Sequence, residues 1–119
     1  MYAQCAAGET QLTITVKTDQ YPDETTWRLV NYADGSVLSS GGPYAAANTV
    51  YTSTVCAANT ATIQFEIFDA YGDGICCGFG SGYYNVMAGA TTLINGGSFP
   101  AEEVKLFAVS PQTKDLLIK

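Results

Sequence analysis

An all-β fold, an antiparallel sandwich or jelly roll of about eight strands, is what this 119-residue chain predicts. Three observations predict it. Short runs of alternating apolar and polar residues recur along the chain, the period of a half-buried strand. Turn chemistry separates them, with 12 Gly and frequent Asn and Asp. Thr, Tyr and Val, which suit a pleated surface, are abundant, and no stretch of ordinary length carries a helical pattern.

In order, residues 11–17 (QLTITVK) place Leu12, Ile14 and Val16 on one face. Residues 18–24 (TDQYPDE) break the pattern and read as a loop. Residues 25–32 (TTWRLVNY) resume it, with Trp27 and Leu29 on one face. Asp34-Gly35 marks a tight turn into a short strand at 36–39. The loop GGPY at 41–44 follows. Residues 49–56 and 60–68 read as two more strands, the second alternating Ile63, Phe65 and Ile67 with polar residues. Residues 69–82 (DAYGDGICCGFGSG) form a long Gly-rich loop. Strands at 83–88 and 91–94 are joined by a turn at Gly89-Ala90, and Asn95-Gly96-Gly97 predicts another turn. The last strand is 102–109. Residues 1–109 are thus one module, and Ser110-Pro111 opens a tail, 110–119, read as a linker or the start of a further segment.

Composition narrows the function classes. The chain has no His, so Ser-His-Asp and Cys-His catalysis and His-ligated metals are excluded. A net charge of −6 with a single Arg makes a poor nucleic-acid binder. No apolar run approaches the roughly 18 residues of a membrane span, so no membrane insertion is expected. There is no Asn-x-Ser/Thr sequon. The chain does not open on a charged segment followed by an apolar one, although Tyr2-Ala3-Gln4-Cys5 would suit the position after an export cleavage.

Four cysteines, Cys5, Cys56, Cys76 and Cys77, point to disulfides and to an extracellular or cell-surface location, the alternative being buried free thiols. Three pairings are possible. A bond between the adjacent Cys76 and Cys77 closes a strained ring and is disfavoured, which leaves Cys5 and Cys56 each joined to one of that pair.

The most informative segment is Asp69-Ala-Tyr-Gly-Asp73-Gly-Ile-Cys-Cys. It leaves a strongly alternating strand, and its glycines permit a tight wrap. Two carboxylates four apart with free carbonyls between them suit calcium, which takes six to eight oxygens. The EF-hand spacing is not matched. Further oxygens must come from elsewhere, and the loop holding Asp19, Asp23 and Glu24 is the donor. Asp69 and Asp73 are therefore candidate Ca2+ ligands, to be completed from Asp19, Asp23 and Glu24, with carbonyls near Tyr71 and Ile75. Taken singly, each Asp is more simply explained as an Asx-turn or loop-capping residue; the combination points to calcium.

Tyr21, Tyr44, Tyr71 and Phe79 all fall in loops, and are candidates for contacting a glycan or peptide. The competing reading has them cover the sandwich ends, and Trp27 is read as core. Glycosidase chemistry needs two carboxylates flanking a cleft, whereas these acids cluster as metal ligands would. The adjacent cysteines lack the Cys-x-x-Cys redox spacing. The chain is read as non-enzymatic.

TDQYPDETTW at 18–27, VC at 55–56 and DAYGDGICCGFGSGYY at 69–84 resemble a small extracellular module of secreted proteins from marine bacteria and some algae, often beside peptidase or other catalytic domains. In that module Asp-x-Tyr-Pro-x-Glu-x-x-Trp precedes Asp-x-Tyr-Gly-Asp-Gly-Ile-Cys-Cys, and the resemblance spans residues 5–107. It implies an accessory domain of a larger parent polypeptide, and sets Asp19 and Glu24 beside Asp69 and Asp73. It supplies no ligand. A looser likeness to CUB-type jelly rolls with acidic calcium loops concerns the fold alone. FAVSPQTKDLLIK at 107–119 is similar to the opening of the sorting domains of Bacteroidetes type IX secretion, with Ser110-Pro111-Gln112 in place of their Pro-Asn-Pro.

The expectation for function is a calcium-binding accessory module for polysaccharide or cell-surface glycan. The alternative is an adhesion module for protein contacts, with calcium stiffening the loops. A weaker third is a chaperone-like or targeting domain for an adjacent protease.

Overall fold

The computed structural model describes residues 5–109. The strands are β1 (Glu9–Lys17), β2 (Thr25–Asn31), β3 (Val37–Gly41), β4 (Val50–Ala58), β5 (Thr62–Asp69), β6 (Cys76–Cys77), β7 (Gly80–Ser81), β8 (Tyr83–Ala88), β9 (Thr91–Gly96) and β10 (Glu102–Ala108). Eight of them build two four-stranded antiparallel sheets, ordered β4-β1-β8-β9 and β10-β5-β2-β3. The short β6–β7 hairpin stands apart and lies inside the loop read at 69–82. A 3-10 turn, Pro22–Glu24, precedes β2, with proline in its first turn where no N–H is required.

Alternation decides the packing. Leu12, Ile14 and Val16 of β1 are buried, and Tyr84 and Val86 of β8 join them. Trp27 and Leu29 of β2 and Ile63, Phe65 and Ile67 of β5 face them from the other sheet in one continuous core. Phe65 and Tyr84 meet across the sandwich with ring centroids 4.9 Å apart. Each such side chain contributes on the order of 1.5–3 kcal/mol by leaving water. The buried Tyr84 hydroxyl donates to Glu103, so its polar end is satisfied. Trp27 is core, as read, and its indole N–H donates to the Tyr44 hydroxyl at 2.6 Å.

Asn95-Gly96 is not the turn its composition suggests. Both residues continue β9, and Gly96 lies directly opposite Tyr84. A Cβ there would strike the Tyr84 ring, so this glycine serves close packing rather than reversal.

Among the described residues β2–β3 and β8–β9 are the hairpins of the two main sheets; the other connections between long strands cross from one sheet to the other. The connections sort into two ends. Short ones, 32–36, 59–61 and 89–90, lie at one end beside Cys5. Longer ones, 18–24, 42–49, 70–82 and 97–101, gather at the other. Backbone hydrogen bonds tie these together: Thr18 to Thr49, Gln20 to Phe79, Ala70 to Glu24 and Ile75 to Gly97.

This division corrects the expected disulfide pairing. The bonds are Cys5–Cys56 and Cys76–Cys77. Cys56 faces Gln11 near the start of β1, whereas Cys76 lies near the far end, where Lys17 faces Tyr83. Six residues of strand separate those levels, about 20 Å at 3.3 Å per residue. A disulfide spans Cα atoms only about 4.4–6.8 Å apart. Cys5 instead turns back through Gly8 to reach Cys56, at a Cα separation of 5.5 Å. The adjacent cysteines are left to each other. The tail at 110–119 lies outside the described residues.

Candidate functional site

The inward phase of β5 runs Ile63, Phe65, Ile67 and then Asp69, so a carboxylate arrives buried at the end of the sandwich. Asp69 organises the turn that follows. Its Oδ2 accepts the backbone N–H groups of Asp73 at 2.6 Å and Gly74 at 2.9 Å, and its carbonyl accepts that of Gly72. Gly74 takes a left-handed φ of 67° and presses against the Phe99 backbone, where no Cβ would fit. These bonds carry Asp73 back over Asp69.

Glu24 comes from the other segment. It ends the 3-10 turn, and its carbonyl accepts the Ala70 N–H at 3.0 Å. The result is a group of three carboxylates, Glu24, Asp69 and Asp73, with an oxygen from each within 4.8 Å of the others. Asp69 is buried, Glu24 half-buried and Asp73 exposed. The two motif segments thus meet in space.

Asp19 stays outside this group. It is buried, but its Oδ1 accepts the Tyr21 N–H at 2.8 Å, an Asx-type turn. Its charge nonetheless reaches Glu24 and Asp73.

The electrostatics show a surplus of negative charge. Desolvation, followed by a hydrogen bond to Asp69 and the charges of Asp69, Asp73 and Asp19, pushes the Glu24 carboxyl up to about 7. The hydrogen bond with Asp69, then desolvation and the charges of Asp69 and Asp19, raises Asp73. Among the described residues the ion pairs are Arg28–Glu66 and Lys105–Glu103, and neither reaches the cluster. Protons relieve such crowding, and so does a divalent cation. A second group, Cys5, Glu9 and Cys56, offers no thiolate because its sulfurs are bonded to each other.

Beside the acids lies an open cleft of about 460 Å³, lined by Tyr21, Asp23, Glu24, Tyr71, Asp73 and Phe79. Phe79 rides at the tip of the β6–β7 hairpin and meets Tyr21 edge-on, with centroids 5.4 Å apart. Tyr71 is 78 % exposed. Three of the four loop aromatics therefore flank the metal-type cluster. Tyr44 does not. It stacks on Tyr51 at 4.2 Å and accepts from Trp27, so it covers the sandwich end.

Comparison with protein-family models, curated proteins and solved structures gives no match to this chain. The cluster and cleft stand on their own geometry.

One polar residue at this end carries no signal in the sequence. Thr25 is fully buried, and its hydroxyl has no hydrogen-bond partner. It begins β2 directly opposite Asp69, so the two side chains rise from the same face of the sheet. In the sequence it is one of two threonines opening an ordinary strand.

Proposed function

We propose that this chain is a non-catalytic, extracellular accessory module of a larger secreted polypeptide, which holds calcium at Glu24, Asp69 and Asp73 and binds polysaccharide or cell-surface glycan in the adjoining cleft. The observation that carries this reading is the meeting of three carboxylates within 4.8 Å beside an aromatic-lined cleft. Calcium takes oxygen ligands from several carboxylates, and this set offers one oxygen from each of three. Magnesium fits less well because it seldom uses an all-protein cage. The two disulfides support export, since such bonds persist in oxidising compartments.

The test is thermal unfolding with calcium and with excess EDTA, without reductant. Calcium at a hundred times its dissociation constant stabilises the fold by about 2.7 kcal/mol. The midpoint should rise accordingly, and Asp69→Asn/Asp73→Asn should abolish the rise. An unchanged midpoint, with no metal by elemental analysis, overturns the reading.

One observation favours the adhesion alternative. β10 is an edge strand among the described residues, and it exposes Val104 (46 %) and Leu106 (51 %). Self-association by light scattering that Leu106→Lys abolishes would support that reading; a strictly monomeric wild type would remove it.

A further inference from the structure

We propose that the ion is held from beneath by Asp69 and the Thr25 hydroxyl and stays open to the cleft, where it takes two neighbouring hydroxyls of an uncharged sugar. This rests on the calcium reading of the cluster and names its ligand class.

The inner half follows from Thr25. A buried hydroxyl without a partner is costly, on the order of 1–3 kcal/mol, and such groups ordinarily find a donor, an acceptor or an ion. Thr25 faces the same way as Asp69 from the adjoining strand. Oδ2 of Asp69 already serves two N–H groups, so its second oxygen is the one free for an ion. A cation between that oxygen and the Thr25 hydroxyl satisfies both. Threonine hydroxyls are hard oxygen donors, matching calcium.

The outer half follows from exposure and charge. Glu24 and Asp73 approach from the solvent side and line the cleft, so an ion touching them faces it. Three carboxylates and one hydroxyl leave coordination positions open in a shell of six to eight. The cleft lining adds Asp23 and contains no Lys or Arg. With three carboxylates against two positive charges the site stays negative, which repels uronates and sulfated sugars. Tyr21, Tyr71 and Phe79 offer ring faces and edges to the C–H surface of a pyranose. A neutral ring with adjacent hydroxyls meets all of these conditions.

The experiment has two stages. Calorimetric titration of chelator-treated protein with calcium chloride should show one site. Thr25→Val, which keeps the shape and removes the hydroxyl, should weaken it at least about tenfold. Its calcium-free unfolding midpoint should be no lower than that of the wild type, since only an unpartnered group is lost. Equal calcium affinity in Thr25→Val overturns the inner half. The calcium-loaded protein is then titrated with β-1,4-mannohexaose and a β-1,4-galactan oligosaccharide, which carry a vicinal hydroxyl pair on every ring. The controls are a β-1,3-glucan hexaose, whose internal rings lack one, and an oligogalacturonate, which adds carboxylates. Binding of either 1,4-linked neutral sugar, loss in EDTA and weak response to both controls support the proposal. Tyr71→Ala/Phe79→Ala should lose the sugar and keep the calcium. Calcium binding with no response to either neutral sugar, preference for the acidic one, or binding that survives EDTA overturns it. Failure to bind calcium at all overturns the proposed function itself, and this inference with it.

Discussion

Asp34 and Asp73 both sit in exposed turns, at opposite ends of the sandwich, and their carboxyls are perturbed in opposite directions. Asp34, in the β2–β3 hairpin, accepts the backbone N–H of Ser36 at 2.9 Å and its hydroxyl at 2.7 Å, which lowers its pKa. Asp73 is raised first by its hydrogen bond with Asp69, and Glu24 by desolvation and then by the same Asp69 carboxylate. At one end an acid completes a turn and is satisfied. At the other, acids are gathered beyond what the turns require. The difference separates an acid satisfied by its own turn from acids crowded by one another, although the residue types are the same.

The same contrast holds for the disulfides, where the largest effect is expected. Cys5–Cys56 closes a loop with a sequence separation of 51, which the chain-entropy relation values at about 4 kcal/mol. Cys76–Cys77 has a separation of 1 and constrains almost none of the unfolded chain. Cys5→Ser/Cys56→Ser should therefore lower the denaturant midpoint steeply. Cys76→Ser/Cys77→Ser should leave global stability nearly unchanged and act on the cleft. Equal losses in the two variants would break the comparison.

Glycines sharpen it next. Gly35 and Gly74 both have positive φ, 78° and 67°. Nothing lies within 4 Å of a Cβ at Gly35, so Gly35→Ala should cost only the left-handed penalty, about 1–2 kcal/mol. Gly74→Ala adds a collision with the Phe99 backbone, roughly 1–3 kcal/mol more. Urea unfolding of the two variants measures the gap.

The acids themselves give a smaller, pH-dependent effect. Glu24 rises from 4.5 unfolded to about 7 folded, so the folded state holds the extra proton between those values. In EDTA, stability should fall as pH rises through that window and level off above it. Glu24→Gln should flatten the fall. A wild-type curve that rises instead would refute the crowding.

Smallest of all is Asp34→Asn. The lowered pKa of Asp34 stabilises the fold above its unfolded value of 3.8, and that contribution fades as pH falls. The group is exposed, so the midpoint at neutral pH should move only slightly and the calcium shift should stay whole. An Asp34→Asn variant that loses the calcium shift would place the ion at the wrong end.

The site was legible in the sequence as far as residue chemistry reaches. Carboxylates and large aromatics in loops stand out in a sequence, so Asp69, Asp73 and Glu24, which come within 4.8 Å of one another, and Tyr21, Tyr71 and Phe79, which line the cleft beside them, are legible there. Tyr44 looked the same and is not part of the cleft. Its partners, Trp27 and Tyr51, come from β2 and β4 and were invisible locally. Asp19 had the right type and place, but it turns its Oδ1 to the Tyr21 N–H and lies outside the 4.8 Å group. Thr25 could not be found, since an unpartnered hydroxyl is a property of a packed environment.

By itself, the sequence determined the eight longer strands, though not the end of β9 or the β6–β7 hairpin. A period of two along QLTITVK or TIQFEIF specifies which face is buried, because a half-buried sheet tolerates no other register. It also determined the acidity and aromaticity of the long loops. Tertiary structure alone decided which loops share an end, and hence which cysteines pair and which carboxylates meet. Strand crossings set those distances over the length of the sandwich, and local pattern holds no information about a separation of about 20 Å.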